Sequence, residues 1–289
     1  MPIKQVLKTY YRLTKPGIIY GNLLTTLAGF FLASKGDINF GLFAAVAVGT
    51  GLGMASGCVF NNYIDRGIDK KMERTKKRAL VSGAISGRAA LIYASVLGLA
   101  SFTILTLFTN ALVVAAGIIA VFFYVVLYGI AKRKSTLGTV VGSVPGALPP
   151  VAGYLAVTGN VDLGAWLVFL IMVVWQMPHF YAISIFRLKD YTAAGLPVLS
   201  VKRGVKTTKI YMMLYIAAYI AVVPLLTILG YTGYTYFVVM GGVGLFWLWK
   251  GLDGFYTADS TAWARKMFGV SLIVLMAFSL MLSVDVWLP

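Results

Sequence analysis

Asn61, Asp65 and Asp69 stand at i, i+4 and i+8 in the run Asn61-Asn62-Tyr63-Ile64-Asp65-Arg66-Gly67-Ile68-Asp69. On a continuous helix this spacing places an amide oxygen and two carboxylates along one slowly drifting stripe. Hard oxygen donors on one face suit a divalent cation, and Mg2+ takes one or two carboxylates and completes its shell with substrate phosphates. Asn61, Asp65 and Asp69 are therefore candidate metal ligands. The alternative is a solvated helix end in which Asp65 or Asp69 pairs with a nearby Arg or Lys.

The downstream run Glu73-Arg74-Thr75-Lys76-Lys77-Arg78 is so basic that its charges repel unless phosphate or anionic lipid is near. A diphosphate held by Arg74 and Arg78 meets that need, and lipid headgroups compete for the same role. Tyr128 and Lys132, at i and i+4, can direct a phenol and an ammonium to one anion. A second acid-bearing segment places Asp190 beside Arg187 and Lys189, again a mixture suited to an anion and a metal. His179, the only histidine, follows Trp175-Gln176-Met177-Pro178 deep in an apolar stretch. An intramembrane histidine is a functional candidate, set against a structural hydrogen bond to a neighbouring helix.

These groups are positioned by apolar segments. Of the 289 residues, 60% are hydrophobic and 12% charged, against roughly 25% charged in an ordinary soluble domain. Apolar runs of about 18 residues or more are long enough to cross a bilayer as helices, and apolar residues surround the axis instead of forming one stripe. The pattern predicts an all-α integral membrane protein, a single domain over 1–289 with spans near 17–34, 40–60, 89–109, 111–131, 138–158, 164–185, 210–230, 233–250 and 267–286. Lys4, Lys8, Arg12 and Lys15, opposite Ile3, Val6, Leu7 and Tyr10, predict an interfacial helix before the first span. No cleavable signal peptide is expected there.

The net charge of +16 does not point to nucleic acid, because the cations occupy connections between spans. All of the 25 Lys and Arg residues except Lys35 fall on one side, which the positive-inside rule makes cytoplasmic. The amino terminus is then cytoplasmic and Pro289 periplasmic. Cys58 is the only cysteine, so no intrachain disulfide can form. Gly, at 31 residues, allows close helix approach, and Pro145, Pro149, Pro150, Pro178 and Pro224 predict kinks or bends beside a wet cavity. The two long acid-bearing connections are the only echo of a repeat. A transporter with a midplane cation site is disfavoured, because the acids gather at one rim.

The chain resembles the UbiA superfamily of intramembrane prenyltransferases, in its haem branch. The likeness rests on Thr14-Lys15-Pro16-Gly17, on Ala55 through Asp65, on Met72-Glu73-Arg74-Thr75-Lys76, on Gly146 through Val151, on Trp175-Gln176-Met177-Pro178-His179, and on Phe186 through Tyr191 with Pro197-Val198-Leu199. The resemblance implies a helical bundle open laterally to lipid, with a cytoplasm-facing cavity in a bacterial inner membrane. It further implies Mg2+ and transfer of a farnesyl group from farnesyl diphosphate to a vinyl group of haem B, with water addition, giving haem O.

Carried over by position, Asn61, Asp65 and Asp69 match the first metal and diphosphate motif, and Tyr128 with Lys132 its partner. Phe186 stands where many relatives carry an acid, so the second motif supplies one carboxylate, Asp190. Lys132 and Arg187 are expected to meet the leaving diphosphate. Tyr63, Tyr124 and Tyr181 are candidates to face the allylic cation, and His179 to touch the haem or steer the capturing water. Hand-off of the product to a haem A synthase or a terminal oxidase is the expected partnership. Prenylation of a quinone precursor is the neighbouring alternative, disfavoured by Pro178-His179 and Lys189-Asp190-Tyr191.

Overall fold

A computed structural model describes residues 2–289, and among them every regular element is helical. Nine helices are long and apolar enough to cross a membrane: Pro16–Ser34, Phe40–Asp69, Gly87–Phe108, Ala111–Lys134, Gly138–Thr158, Leu163–Phe186, Gly204–Ile228, Tyr234–Phe255 and Ser260–Trp287. They are called the first to ninth spans below. The chain is a multi-pass, all-α membrane protein.

Every expected span is present, and the largest differences in boundary lie at the cation-rich end. The second helix does not stop near residue 60 but continues to Asp69, so the whole acidic stripe is helical. The seventh begins at Gly204 and the ninth at Ser260, each several residues earlier than the apolar runs suggest. Apolar length finds the part of a helix that lies in hydrocarbon. Helical hydrogen bonding continues into the polar rim until a cap or turn ends it. Asp259 supplies such a cap, accepting from the backbone N–H of Thr261 and Ala262 at 3.0 Å each.

The expected amino-terminal helix runs from Ile3 to Leu13. Tyr10 packs edge-on to Tyr93, ring centroids 5.1 Å apart, and Asn62 donates through Nδ2 to the Leu13 carbonyl at 2.7 Å. These contacts fix where the first span enters the bundle.

The sixth span is the central pillar: 67% of its apolar window is buried, against 11% for the fourth, which lies at the periphery. The sixth packs on the fifth, seventh and ninth. Gln176 ties it to the fifth by donating to the Ser143 carbonyl at 3.0 Å, and Trp175 ties it to the ninth by donating to the Ser271 carbonyl at 2.9 Å. Across the first and fifth spans the backbones touch directly. A Cβ on Gly153 would overlap the Thr26 carbonyl oxygen, and one on Gly29 would overlap that of Pro150. Small residues give this approach where no hydrophobic drive separates helix from lipid.

Helix continues through Pro145, Pro149, Pro150 and Pro178, whereas the seventh span breaks before Pro224. A second interruption carries no proline: Phe123–Leu127 form a π-helical turn in the fourth span, directly before Tyr128. Such turns are frequent at functional sites. At the opposite end of the bundle, Asp285 accepts from Gly233 N–H at 2.9 Å and Thr235 Oγ1 donates to the Pro289 carbonyl at 2.7 Å, closing the eighth and ninth spans together.

Candidate active site

The two acid-bearing connections, separate in sequence, meet at the cation-rich end. Glu73 N–H donates to Asp190 Oδ1 at 3.0 Å, and the Arg74 guanidinium lies 5.8 Å from the Tyr191 ring centroid. Beneath this contact Met72, Ala194 and Leu196 form a small buried apolar cluster that holds the two segments against each other. The faint echo between the connections is thus a spatial pairing.

On the second span, Asp65 accepts from Lys132 Nζ at 2.5 Å and from Arg133 Nη2 at 3.4 Å. The Lys132 and Asp65 side chains are 10% and 14% exposed, so water screens this pair little. Asp69, one turn on and 3% exposed, accepts from Arg78 Nη1 at 2.8 Å, and Arg78 also reaches Asn62 Oδ1 at 3.2 Å. Lys132 stands 4.7 Å from the Tyr128 ring centroid, and Tyr128 stacks on Tyr124 at 6.0 Å with 5° between planes. Tyr128 and Lys132 therefore converge as their spacing predicts, beside Asp65. Both first-motif acids are ion-paired, but their partners come from beyond the second span and not from the helix itself.

Lys15 completes the cluster, although the sequence marks it only as part of the interfacial helix and of the Thr14-Lys15-Pro16-Gly17 segment, with no role at the site. Its Nζ donates to Asn61 Oδ1 at 2.9 Å. The residue links the amino-terminal helix to the first span with φ 57°, a left-handed conformation uncommon outside glycine. Burial pushes its ammonium down to about 8, reinforced by Arg78 and Lys132 and opposed by Cys58 and Asp65. The signal that could have found it is a cation directly before a proline that opens an apolar span. Asn62, which joins Arg78 to Leu13, and Tyr191, whose phenol is pushed up by burial against the opposing pull of Arg74, were also not assigned.

Tyr63, Tyr181, Lys189 and His179 are not brought to the cluster, and Arg187 stands at its edge beside Asp190. Tyr63 carries the Arg66 guanidinium 4.0 Å from its ring centroid and lies against Gly87. It points away because it is two residues from Asn61 and from Asp65, on another face of the helix. Tyr181 packs against Tyr211 and Tyr215 of the seventh span, at 6.5 and 6.1 Å. Lys189 is exposed. Arg187 lies 3.9 Å from Asp190 and over the Phe186 ring. His179 stands apart, between the sixth and ninth spans. A shallow groove of about 460 Å3, lined by Ile64, Val125, Val126, Gly129, Ile130, Arg133 and Lys134, opens on the outer side of the fourth span and shares only Arg133 with the cluster.

Among the described residues no three carboxylate, imidazole or thiol groups form a metal cage by themselves, so Asp190 does not join Asp65 and Asp69 as a third carboxylate. Mg2+ does not need one when phosphates complete its shell. Asp65, Asp69 and the Asn61 amide supply hard oxygen on one stripe, and the cations around them outnumber the carboxylates. Asn61 Nδ2 is buried with no partner, a donor that the chain itself leaves unmet. The donor set fits Mg2+ together with a bound polyphosphate, and fits neither well alone.

A family model described as the UbiA prenyltransferase family matches residues 22–279. The chain belongs to this family. UbiA relatives in two groups bear on it. A protoheme IX farnesyltransferase of Yersinia pseudotuberculosis is 51% identical over 281 residues, covering 97% of this chain and 95% of the relative. One of Sodalis glossinidius is 49% identical over 286 residues, covering 98% and 96%. Among solved structures, a UbiA homolog from Archaeoglobus fulgidus bound to GPP and Mg2+ superposes with a TM-score of 0.73 at 15% identity, covering 95% of this chain and 99% of that one. A structure of digeranylgeranylglyceryl phosphate synthase gives 0.79 at 19% identity, covering 97% and 98%. At these identities the superpositions establish the UbiA fold for this chain. Membership of the family makes it a prenyltransferase.

Proposed function

We propose that the protein transfers the farnesyl group of farnesyl diphosphate to a vinyl group of haem B, with addition of water, giving haem O and diphosphate. The observation that carries the donor half is the cation-rich cluster in which Arg78 of the first acid-bearing connection and Lys132 and Arg133 of the fourth span pair with Asp65 and Asp69, next to the contact between the two connections. The acceptor half is supported by relatives about half identical over nearly their whole length and named for haem farnesylation.

Lys15, Arg74, Arg78, Lys132, Arg133 and Arg187 hold the diphosphate, and the unmet Asn61 Nδ2 donates to one of its oxygens. Asn61, Asp65 and Asp69 would hold Mg2+, which supplies Lewis-acid stabilisation of the departing phosphate oxygens. When the C1–O bond of the donor breaks, the electron pair leaves with diphosphate. The cations, fixed before the reaction by Asp65, Asp69 and Asn61, meet that growing charge without reorganisation. Tyr124, stacked on Tyr128 beside Lys132, is the ring best placed to face the allylic cation, a contact of up to about 2 kcal/mol when desolvated. The haem vinyl carbon then bonds to that cation, positive charge moves next to the macrocycle, and water adds and releases a proton.

The cluster faces the cytoplasm of a bacterial inner membrane, because the excess of Lys and Arg lies at this end. A phosphatase fused after Pro289 is expected to be active in the periplasm, and an inactive fusion would reverse the orientation. Hand-off to a haem A synthase or a terminal oxidase follows the chemistry of the product. To test the reaction, labelled farnesyl diphosphate is offered haem B and a quinone precursor together. Label is expected in haem alone, and transfer to the quinone precursor would replace this reading.

Lys132→Ala is expected to weaken farnesyl diphosphate use roughly tenfold or more while changing haem affinity little, since removing a charge-assisted contact costs about 1.5–3 kcal/mol. Equal loss of both affinities would remove Lys132 from the diphosphate site. A pH profile tests Lys15. Its ammonium is lost as pH rises through about 8, so kcat/KM for farnesyl diphosphate is expected to fall there. In Lys15→Arg the group stays charged, and the fall should disappear from that range. An unchanged profile would assign the titration to another group.

A further inference from the structure

His179 presents a ring nitrogen whose state is fixed by its neighbours. Ser271 Oγ donates its one proton to the Phe268 carbonyl at 2.6 Å, and Ser271 is fully buried. At 2.8 Å from His179 Nδ1, that hydroxyl can only accept. The hydrogen-bond network therefore assigns the proton of the neutral imidazole to Nδ1 and leaves a lone pair on Nε2. Nε2 makes no hydrogen bond to the chain and is not enclosed. The ring is held between Trp175, centroid 5.0 Å away at 25°, and Phe268, 4.8 Å away at 35°, with Phe180 at its edge. His179 lies seven residues before the end of the sixth span at Phe186, about 10 Å below the rim where the diphosphate cluster stands.

We propose that His179 Nε2 is an axial ligand to the haem iron, and that Ser271 is the positioning residue that fixes its tautomer. The inference rests on haem being the acceptor. Metal-binding imidazoles carry this arrangement, with one nitrogen on the metal and the other donating to a fixed acceptor. Among the substrates and ions of the reaction, iron is the one that suits imidazole, since Mg2+ selects oxygen. The wall around the ring is apolar and aromatic, which suits a porphyrin, and its depth puts the acceptor beneath the donor.

The test uses the full chain in lipid nanodiscs with haem B and no farnesyl diphosphate, so that no turnover intervenes. Ferrous wild type is expected to show an iron–histidine stretch in its resonance Raman spectrum. His179→Ala should lose the stretch and bind haem roughly tenfold or more weakly, as loss of metal-site partners typically does, with added imidazole restoring ligation. Retained farnesyl diphosphate binding shows that this variant is folded. Ser271→Ala should keep the stretch but shift it to lower frequency, because Nδ1–H loses its acceptor. A His179→Ala protein with the wild-type stretch, or haem-bound wild type without one, overturns the proposal. Should His179→Ala lose donor binding as well, Ser271→Ala decides, and an unshifted stretch counts against ligation. Wild type that forms haem O while failing these tests leaves the farnesyltransferase reading intact, whereas wild type that binds no haem ends both.

Discussion

Asp65→Asn and Asp69→Asn are each expected to lower haem O formation by about 100-fold or more, the usual effect of deleting one preorganised electrostatic contact to a transition state. Asn keeps the size and polarity of the side chain and removes the anion. Two consequences follow for each position. The carboxylate no longer offers charged oxygen to Mg2+, and it no longer holds Lys132 with Arg133, or Arg78, in the geometry that receives the diphosphate. Stability should fall by less than the about 3–5 kcal/mol of a broken, fully buried pair. The site is at a polar rim, and the amide oxygen still accepts a hydrogen bond from the cation. Asp190→Asn should lower activity less, because its carboxylate accepts from Glu73 N–H and lies 3.9 Å from Arg187, contacts an amide keeps in part. Activity is measured in membranes over a range of Mg2+ concentration, with protein quantity fixed by blot. An Asp65→Asn or Asp69→Asn enzyme that runs near the wild-type rate at low Mg2+ would return these acids to a purely structural role.

Gly153→Leu is expected to prevent accumulation of folded protein, or to lower its stability by about 3 kcal/mol or more, the upper end of what overpacking costs. At most overpacked sites a side chain can turn aside. Here the first atom of the new side chain meets the Thr26 carbonyl and lies 2.9 Å from Phe30 N, and backbone atoms of a packed helix move only if the first and fifth spans separate. Separation would also shift Lys15, one residue before the first span, away from Asn61. Gly241→Leu is the control, since nothing lies within 4 Å of a Cβ there. Size-exclusion profiles and thermal unfolding in detergent report both variants. Equal behaviour of the two would mean that the close crossing does not hold the bundle.

Span number and the helical stripe through Asn61, Asp65 and Asp69 were legible because both depend on local pattern, apolar length in one case and i, i+4 spacing in the other. Tyr128 and Lys132 were legible for the same reason. That Lys132 serves the first motif came from the family resemblance, whereas spacing alone names no partner for any of the acids. Asp65 meets a lysine 67 residues away and Asp190 an amide 117 residues away, and spacing along the chain carries no record of such contacts. Lys15 was hidden because the cations of the amino-terminal segment look alike as a charged face. Its left-handed backbone before Pro16 and its contact to Asn61 set it apart from them. Tyr63 and Tyr181 were offered for their chemistry alone, and helix geometry turned both toward other neighbours. The π-helical turn before Tyr128 has no sequence signature such as proline to announce it.

The central claim is chemical, that one farnesyl unit and one water molecule are added to haem B. It is tested most directly by incubating the purified protein in nanodiscs with haem B, farnesyl diphosphate and Mg2+ in water enriched in heavy oxygen, then weighing the haem products. The account predicts a more hydrophobic haem carrying one farnesyl unit and one heavy oxygen atom, formed together with diphosphate. Unchanged haem alongside consumed farnesyl diphosphate, or a farnesylated haem without the heavy oxygen, would contradict it.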